Sequence, residues 1–300
     1  MRCRLPVDAD IDSCRHLIFF RPAVEFLSSD GSTRNFGQFE PIILGDVMRR
    51  DFLRFLVNAG LVSIALQVPG LAAGSDDELA RTVLEKADQI RTPQEAFQVE
   101  VGITTTIPGE SPDVRKYRVL SKGNTNTIVQ VTEPASERGQ ILLMKDRNLW
   151  IFMPNVSQPI RLSLSQRLTG QVANGDLARS NFTGDYVPKI LRTEAIDGEQ
   201  YYVLELNAVD RGVTYSKVIY WVKQSNHFPY RAEFYSLSNK LLKTARYENF
   251  KNAMGRLRPA RLVLEDALRK GEESILEYTG YKQRDLPDRV FTKDYLQRLQ

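Results

Sequence analysis

The feature that most limits the fold of this chain is an alternation of apolar and polar residues with a period of two. It first appears at residues 97–104, where Phe97, Val99, Val101 and Ile103 are separated by polar or small residues. Successive side chains of a β-strand point to opposite faces, so this pattern predicts a strand with one apolar face.

The same period recurs in short segments along the rest of the chain. In chain order these are residues 117–119, 128–131, 141–144, 149–153, 161–164, 201–206, 213–222, 230–235, 241–247, 261–264 and 274–278. Turn signals such as Asp197-Gly198 and Lys270-Gly271 separate several of them, which predicts antiparallel pairing. We therefore expect a mainly β (α+β) protein with about ten strands in a large curved sheet or open barrel. Residues 165–192 do not alternate and are expected to interrupt the sheet.

Several predicted strands carry large side chains on both faces. Trp150 and Phe152 share one face of their strand, and Leu149, Ile151 and Met153 share the other. Both faces must then be covered, because a sheet with one solvated face usually alternates cleanly. Two arrangements satisfy this requirement: helices cover one face while the other lines a cavity for an apolar ligand, or both faces are packed and no cavity exists. Periodicity leaves both open.

A helix is predicted just before the first strand. Ser75 and Glu78 have the spacing of a capping box, in which each side chain accepts a hydrogen bond from a free backbone N–H. Residues Leu79, Val83, Ala87 and Ile90 then follow at helical spacing, and Pro93 ends the pattern.

Residues 48–73 have the three parts of an export signal: a basic start, a short apolar stretch at residues 55–68 and a small-residue exit. Arg49, Arg50, Phe52 and Leu53 resemble the twin-arginine consensus. The apolar stretch is shorter than that of a membrane anchor, which needs about 20 residues. Met48 is then the expected start, residues 1–47 are expected to be a disordered, mis-assigned upstream extension, and residues 74–300 are one exported domain in the periplasm.

The expected mature chain offers little for metal, cofactor or nucleic-acid chemistry. Both cysteines, Cys3 and Cys14, lie in the upstream extension, and the charges of the mature chain are interspersed rather than clustered. Asp176 and Asp185 lack metal-ligand spacing, and His227 lies among turn formers without an adjacent partner. We expect no enzyme activity, no metal, no cofactor and no nucleic-acid partner.

The order of several motifs resembles the LolA-like outer-membrane lipoprotein-sorting family. The resemblance rests on residues 148–154, 159–161, 166–170 and 174–182, and on the C-terminal stretches 258–261, 286–292 and 295–296. It covers essentially the whole chain after residue 74. It implies an unclosed antiparallel β-barrel wrapped over helices, with an apolar cavity that shelters acyl chains. It also implies that the first helix covers the concave face and that residues 165–192 lie over the cavity mouth.

The resemblance implies a periplasmic carrier that binds acyl chains of lipoproteins or lipids and moves them towards the outer membrane, with an inner-membrane exporter and an outer-membrane acceptor as partners. The alternative is a module of the same fold that senses lipids or assists an exporter without transport. The expected headgroup contacts are Arg161, Arg167 and Arg179, because an arginine fork suits phosphate. Nine residues are expected to line the cavity, because each is large or branched and lies at period-two spacing in a predicted strand: Phe97, Val99, Val101, Trp150, Phe152, Tyr202, Leu204, Trp221 and Phe234.

Overall fold

A computed structural model of the 300-residue chain describes residues 72–123 and 125–297, which belong to one compact unit. Residues 1–47, the expected upstream extension, and all but the last two residues of the expected export signal lie outside the described residues. The expectations for Arg49, Arg50, Phe52 and Leu53 therefore stay predictions.

The described chain is built mainly from strands. Its helices are α1 (Ala72–Arg91), α2 (Asn174–Ala178) and α3 (Lys293–Gln297), with 3-10 turns at Ala135–Glu137 and Asp288–Phe291. Its strands are β1 (Phe97–Thr106), β2 (Asp113–Lys122), β3 (Asn126–Glu133), β4 (Ile141–Lys145), β5 (Asn148–Phe152), β6 (Ile160–Leu162), β7 (Arg167–Thr169), β8 (Val172–Ala173), β9 (Tyr186–Ile196), β10 (Glu199–Ala208), β11 (Lys217–Lys223), β12 (Pro229–Tyr235), β13 (Leu241–Ala253), β14 (Arg256–Asp266) and β15 (Glu273–Gln283).

One unclosed antiparallel sheet organises the molecule. In the described part of the chain it has 13 strands in the order β6-β5-β4-β3-β2-β1-β15-β14-β13-β12-β11-β10-β9. The chain runs outward from β1 to the edge strand β6, crosses to the other edge at β9, and returns strand by strand until β15 pairs with β1. The crossing segment, residues 163–185, contains α2 and the small β7–β8 hairpin. The mainly β, unclosed architecture predicted for the chain is thus confirmed.

The prediction missed one long strand. Residues 165–192 were expected to interrupt the sheet, yet β9 begins at Tyr186 and pairs with β10. This strand is the edge of the sheet, so one side of its backbone is free and Pro188 is tolerated there. Much of β9 is solvated, with Val187 and Leu191 exposed, and therefore the apolar alternation that revealed the inner strands is weak.

Helix α1 packs on the concave face of the sheet, against β9, β12 and β14. It ends at Arg91, as Thr92-Pro93 predicts, but it begins at Ala72, so Ser75 lies within the helix and the predicted cap position is wrong. Two alanines precede Gly74, and alanine favours helix. Its buried stripe is Ala80, Val83, Leu84 and Ala87, whereas Leu79 is 40% exposed. The predicted stripe was therefore slightly rotated.

The convex face is covered in a different way on each half of the sheet. Beneath β3, β4 and β5, the C-terminal residues Phe291 and Leu296 pack on Ile128, Leu143 and Phe152. Beneath β10 and β11, the neighbouring side chains cover the sheet themselves: the guanidinium of Arg231 lies 4.1 Å from the Trp221 ring centroid. Both faces are thus buried, as the two-sided apolar strands require.

Candidate functional site

Among the cavities of the described residues, two on the concave face border α2. The larger, which we call the groove, has a volume of about 420 Å³ and an apolar floor contributed by β2 to β6 and β7. The smaller, the inner cavity, has a volume of about 80 Å³ and lies deeper in the concave core. Small-molecule sites commonly measure about 300–1,000 Å³. The groove is large enough for a ligand as it stands, and the inner cavity is not. The groove is floored by Tyr117, Val131, Leu142, Ile151, Leu162 and Leu168 and edged by Arg115, Glu137, Gln140, Gln166, Arg167 and Asn174.

Helix α2 stands between the two cavities. Its first residue, Asn174, lines the groove, and the next four residues line the inner cavity. The rest of the crossing segment continues along the inner cavity to Phe182, whose ring packs edge-on against Tyr220. The position of the crossing segment therefore decides whether the concave face holds two separate spaces or one.

A buried ion pair fixes α2 to the sheet. Lys243 Nζ on β13 lies 2.6 Å from Asp176 Oδ2, and the Tyr215 hydroxyl donates to the same carboxylate at 2.8 Å. Burial lowers the pKa of Lys243 below its ordinary value, and the Asp176 charge opposes that shift. Burial and Asp176 together raise the pKa of Tyr215, which keeps the phenol protonated and able to donate.

A second buried group fixes the end of the crossing segment to α1. Asp88 Oδ2 accepts hydrogen bonds from the backbone N–H of Phe182 at 2.9 Å and from that of Thr183 at 2.7 Å. Arg91 pairs with Asp88 at 3.2 Å, donates to the Ser180 carbonyl and stacks 4.1 Å from the Phe182 ring centroid. Because these partners are buried, α1 and the crossing segment form one continuous cover over the concave core.

Two glycines let the crossing segment approach the sheet closely. At Gly170, which has φ +49°, a Cβ would overlap the hydroxyls of Thr105 and Ser274. At Gly175 a Cβ would overlap the Thr214 side chain. The buried Thr105 and Ser274 hydroxyls are 2.9 Å apart, and Ser274 Oγ also accepts from the backbone N–H of Gln171 at 2.9 Å, so the close approach at Gly170 lets the crossing segment hydrogen-bond the sheet.

The structure separates the predicted cavity residues into three groups. Phe97, Val99, Val101 and Phe234 line the inner cavity. Leu204 is fully buried in the concave core and Tyr202 packs against that core, yet neither lines the groove or the inner cavity. The remaining three, Trp150, Phe152 and Trp221, lie on the convex face.

The placement of these three aromatic residues in the cavity was wrong. The alternation within their strands was read correctly, because Leu149 and Ile151 belong to the concave core while Trp150 and Phe152 belong to the convex cluster. Side-chain size then suggested the wrong face. The period alone does not show which face of the sheet is concave. With that information it would have identified Ile151 as a groove residue.

The three predicted headgroup arginines lie in different surroundings. Arg161 hydrogen-bonds Asn148 at 2.6 Å and alternates with the groove residue Leu162, so it points away from the groove. Arg179 lines the inner cavity but is paired with the buried Asp185. Arg167 is exposed at the edge of the groove, with no acidic partner within ion-pair distance among the described residues. It alone of the three is available to an anionic group at the groove.

Across residues 72–123 and 125–297, no three His, Cys, Asp or Glu side chains lie close enough together to hold a metal ion. Asp176 and Asp185 are both engaged in ion pairs with basic residues. Within the same described ranges, no helix is long and apolar enough to cross a membrane.

The fold and its two concave-face cavities define the class: an unclosed antiparallel half-barrel covered by helical segments. Comparison with solved structures gives the family. A LolA superfamily protein from Nitrosomonas europaea is 66% identical, with 72% of this chain and 98% of that chain covered and a TM-score of 0.70. The chain therefore belongs to the LolA superfamily.

More distant structures share the fold alone. A putative outer membrane lipoprotein-sorting protein domain from Vibrio parahaemolyticus is 19% identical with a TM-score of 0.62, and 74% of this chain and 100% of that chain are covered. A DUF1329 family protein from Desulfovibrio piger is also 19% identical, with a TM-score of 0.63 and coverage of 74% and 99%. A family model described only as that of an uncharacterized protein matches residues 123–298. No curated protein matches the chain.

Proposed function

We propose that the protein is a periplasmic carrier that holds acyl chains of lipoproteins or lipids in the groove and moves them towards the outer membrane. The observation that carries the proposal is the groove itself, about 420 Å³ with an apolar floor and a mixed polar edge. Each CH₂ removed from water contributes about 0.8 kcal/mol. A floor without charged side chains can shelter a chain of several such groups without specific contacts, which suits cargo that must later be released.

The edge of the groove supports an amphipathic ligand. Arg115 is held by Asp113 at 2.7 Å and Glu137 at 2.5 Å, so its charge is already compensated. Arg167 has no such partner, and its guanidinium fork matches a phosphate or carboxylate. We therefore place the acyl chain on the floor and the headgroup beside Arg167.

Native mass spectrometry of the protein purified from the periplasm without detergent tests the proposal, together with uptake of a fluorescent acylated probe. Leu162→Asp puts a charge on the groove floor and is expected to weaken probe binding about tenfold or more, because an unpaired carboxylate in an apolar site is costly. Val114→Asp is the matched control: Val114 is 49% exposed on β2 and is not a groove residue. No bound lipid together with no probe uptake would contradict the proposal, as would equal effects of the two substitutions.

The same preparation separates carrying from sensing. A carrier should release its probe to acceptor vesicles or to an outer-membrane acceptor protein, and an inner-membrane exporter should load it. A sensor should bind a protein partner more tightly when loaded and retain its lipid. Loss of probe to the acceptor on mixing is the result that we expect.

Export is tested separately. We propose that residues 48–73 direct twin-arginine export, so changing Arg49 and Arg50 to lysine should trap the precursor in the cytoplasm. Immunoblots of cell fractions would show this, with the Arg54→Lys variant as the control. Continued periplasmic accumulation of the double variant would contradict the twin-arginine pathway but leave the groove proposal intact.

A further inference from the structure

Two turns at one end of the sheet, and the start of the strand β13 beside them, carry exposed apolar side chains. Among the described residues, Leu237 and Leu268 are the two most exposed large hydrophobic side chains, at 74% and 63%. Leu237 lies in the turn between β12 and β13, and Leu268 in the turn between β14 and β15. Leu242, the second residue of β13, is 37% exposed, and its carbonyl accepts from Ala267 N at 3.1 Å. We call Leu237, Leu242 and Leu268 the leucine patch.

Both turns are built to present these side chains. The Ser236 hydroxyl accepts from Lys240 N at 3.1 Å, and Ser236 N donates to the Lys240 carbonyl at 2.9 Å. In the second turn, Asp266 Oδ1 accepts from the backbone N–H of Leu268 at 2.7 Å and of Arg269 at 2.9 Å. Leu237 and Leu268 therefore project from turns that are fixed by hydrogen bonds.

Basic side chains surround the leucine patch. Lys240 and Lys270 are exposed and have no acidic partner within ion-pair distance among the described residues. Arg269 pairs with Glu272 at 3.2 Å. Asp266 is occupied by the backbone of its own turn. Two positive charges beside the leucines, those of Lys240 and Lys270, thus have no paired carboxylate, although Asp266 and Glu273 lie in the same region.

We propose that the leucine patch docks the protein on a lipid bilayer that contains anionic headgroups. Protruding leucines can enter the acyl region while Lys240 and Lys270 remain at the headgroups, where each basic residue contributes about 1 kcal/mol. A specific protein partner needs about 800 Å² of surface on each side and is usually anchored by Trp, Tyr or Arg. Two leucines in turns and a third at the start of β13 match the bilayer better.

The position of the patch relates it to the groove. The β7–β8 hairpin, which supplies the groove residues Arg167 and Leu168, contacts the β14–β15 turn through Gln171 Nε2 and Glu272 Oε2 at 3.3 Å. Gly271 of that turn packs on Pro108 in the turn that precedes β2 and the groove residue Arg115. Docking through the patch would therefore bring this edge of the groove towards the membrane.

The proposal is tested by flotation of the periplasmic protein with vesicles of phosphatidylcholine, with or without phosphatidylglycerol. Leu237→Ser and Leu268→Ser are each expected to weaken vesicle binding about tenfold. Leu257→Ser is the matched control, because Leu257 is 50% exposed beside the turn at the opposite end of the same hairpins.

The basic side chains are tested in the same assay. Lys240→Glu and Lys270→Glu should each weaken binding about fivefold on anionic vesicles only. Lys251 is exposed near the opposite end, so Lys251→Glu is the control and should not weaken binding.

Three results would overturn the proposal: no binding to either kind of vesicle, equal loss in Leu257→Ser, or patch variants that bind vesicles normally but lose a protein partner. Uptake of the acylated probe is measured on the same variants and should be unchanged, because the patch lies outside the groove. Vesicle binding without probe uptake would thus contradict the carrier function alone, and probe uptake without vesicle binding would contradict the patch alone.

Discussion

At the scale of single residues, the groups that hold the cover on the concave face are polar and buried. Asp88 and Lys243 are 2% and 4% exposed and the Asp176 side chain is 10% exposed, although charged side chains are costly to desolvate unless they are paired. They are grouped where the crossing segment meets the sheet and α1. Such pairs contribute little net stability but fix one arrangement, because losing one partner leaves the other charge buried.

The first prediction concerns this pairing. Asp176→Asn leaves Lys243 without its counter-charge and is expected to lower the free energy of unfolding by about 3–5 kcal/mol. Asp176→Asn combined with Lys243→Met should recover much of that loss. Urea unfolding of the single and double variants measures the difference. Additive losses in the double variant would show that the two residues do not act as a pair.

The same variant has a defined pH dependence. Burial lowers the pKa of Lys243 in the folded state below its ordinary 10.5. The unfolded chain therefore binds the proton more readily, and stability rises with pH between the lowered pKa and 10.5. The rise should be larger in Asp176→Asn than in the wild type, since Asp176 supports the charged form. Urea unfolding at neutral and at alkaline pH measures it; a fall in stability of Asp176→Asn over that range would contradict the assignment.

At the scale of elements, residues 163–185 form the one connection that crosses the concave face between the edge strands of the described sheet. This crossing segment supplies α2, part of the groove edge and one side of the inner cavity. Because it touches the sheet at Gly170 and Gly175, its seating depends on two positions where no side chain fits. The element that divides the cavities is thus also the one most sensitive to an added methyl group.

Gly175→Ala tests this seating. The added methyl group would meet Thr214, so α2 must shift, and we expect a loss of about 1–3 kcal/mol in unfolding free energy together with a changed affinity for the acylated probe. Gly102→Ala is the control: nothing lies within 4 Å of its Cβ position on β1. Chemical denaturation and probe titration report the two effects. Equal changes in unfolding free energy and in probe affinity for Gly175→Ala and Gly102→Ala would show that α2 does not pack tightly at Gly175.

Periodicity detects strands whose two faces differ in burial, and this determines which elements could be predicted from the sequence. The inner strand β1 was predicted from its alternation because every second side chain is buried. The edge strand β9 was not, because half of its surface is solvated. Periodicity also assigns Trp150 and Ile151 to opposite faces without showing which face is concave, since that depends on the path of the whole sheet. Arg167 was proposed as a headgroup contact because an arginine suits phosphate. That it has no acidic partner depends on the tertiary structure and could not be predicted from the sequence.

At the scale of the whole molecule, the two halves of the sheet are joined by the pairing of β1 with β15, and a second contact joins them away from that pairing. Arg147, in the turn between β4 and β5, donates to Asp185 at 3.0 Å, to the Gly184 carbonyl at 2.9 Å and to Asp210. Asp185 and Gly184 precede the edge strand β9, and Asp210 follows β10. One side chain from the first half of the sheet thus joins both ends of the outermost hairpin of the second half.

The last prediction is that this contact limits how far the half-barrel opens. Arg147→Gln removes charge-assisted hydrogen bonds to a carboxylate that is 3% exposed, so we expect a loss of about 2 kcal/mol in unfolding free energy. Amide exchange should accelerate in β9 and β10, because the outermost hairpin loses its link to β5, while β2 and β3 should be little changed.

Arg118→Gln is the matched control. Arg118 pairs with Glu100, the two side chains are 45% and 36% exposed, and such a pair is expected to be worth about 0.2–1 kcal/mol. Exchange mass spectrometry on both variants resolves the strands. Acceleration spread evenly over all strands would show that Arg147 supports global stability without governing the opening between the two halves.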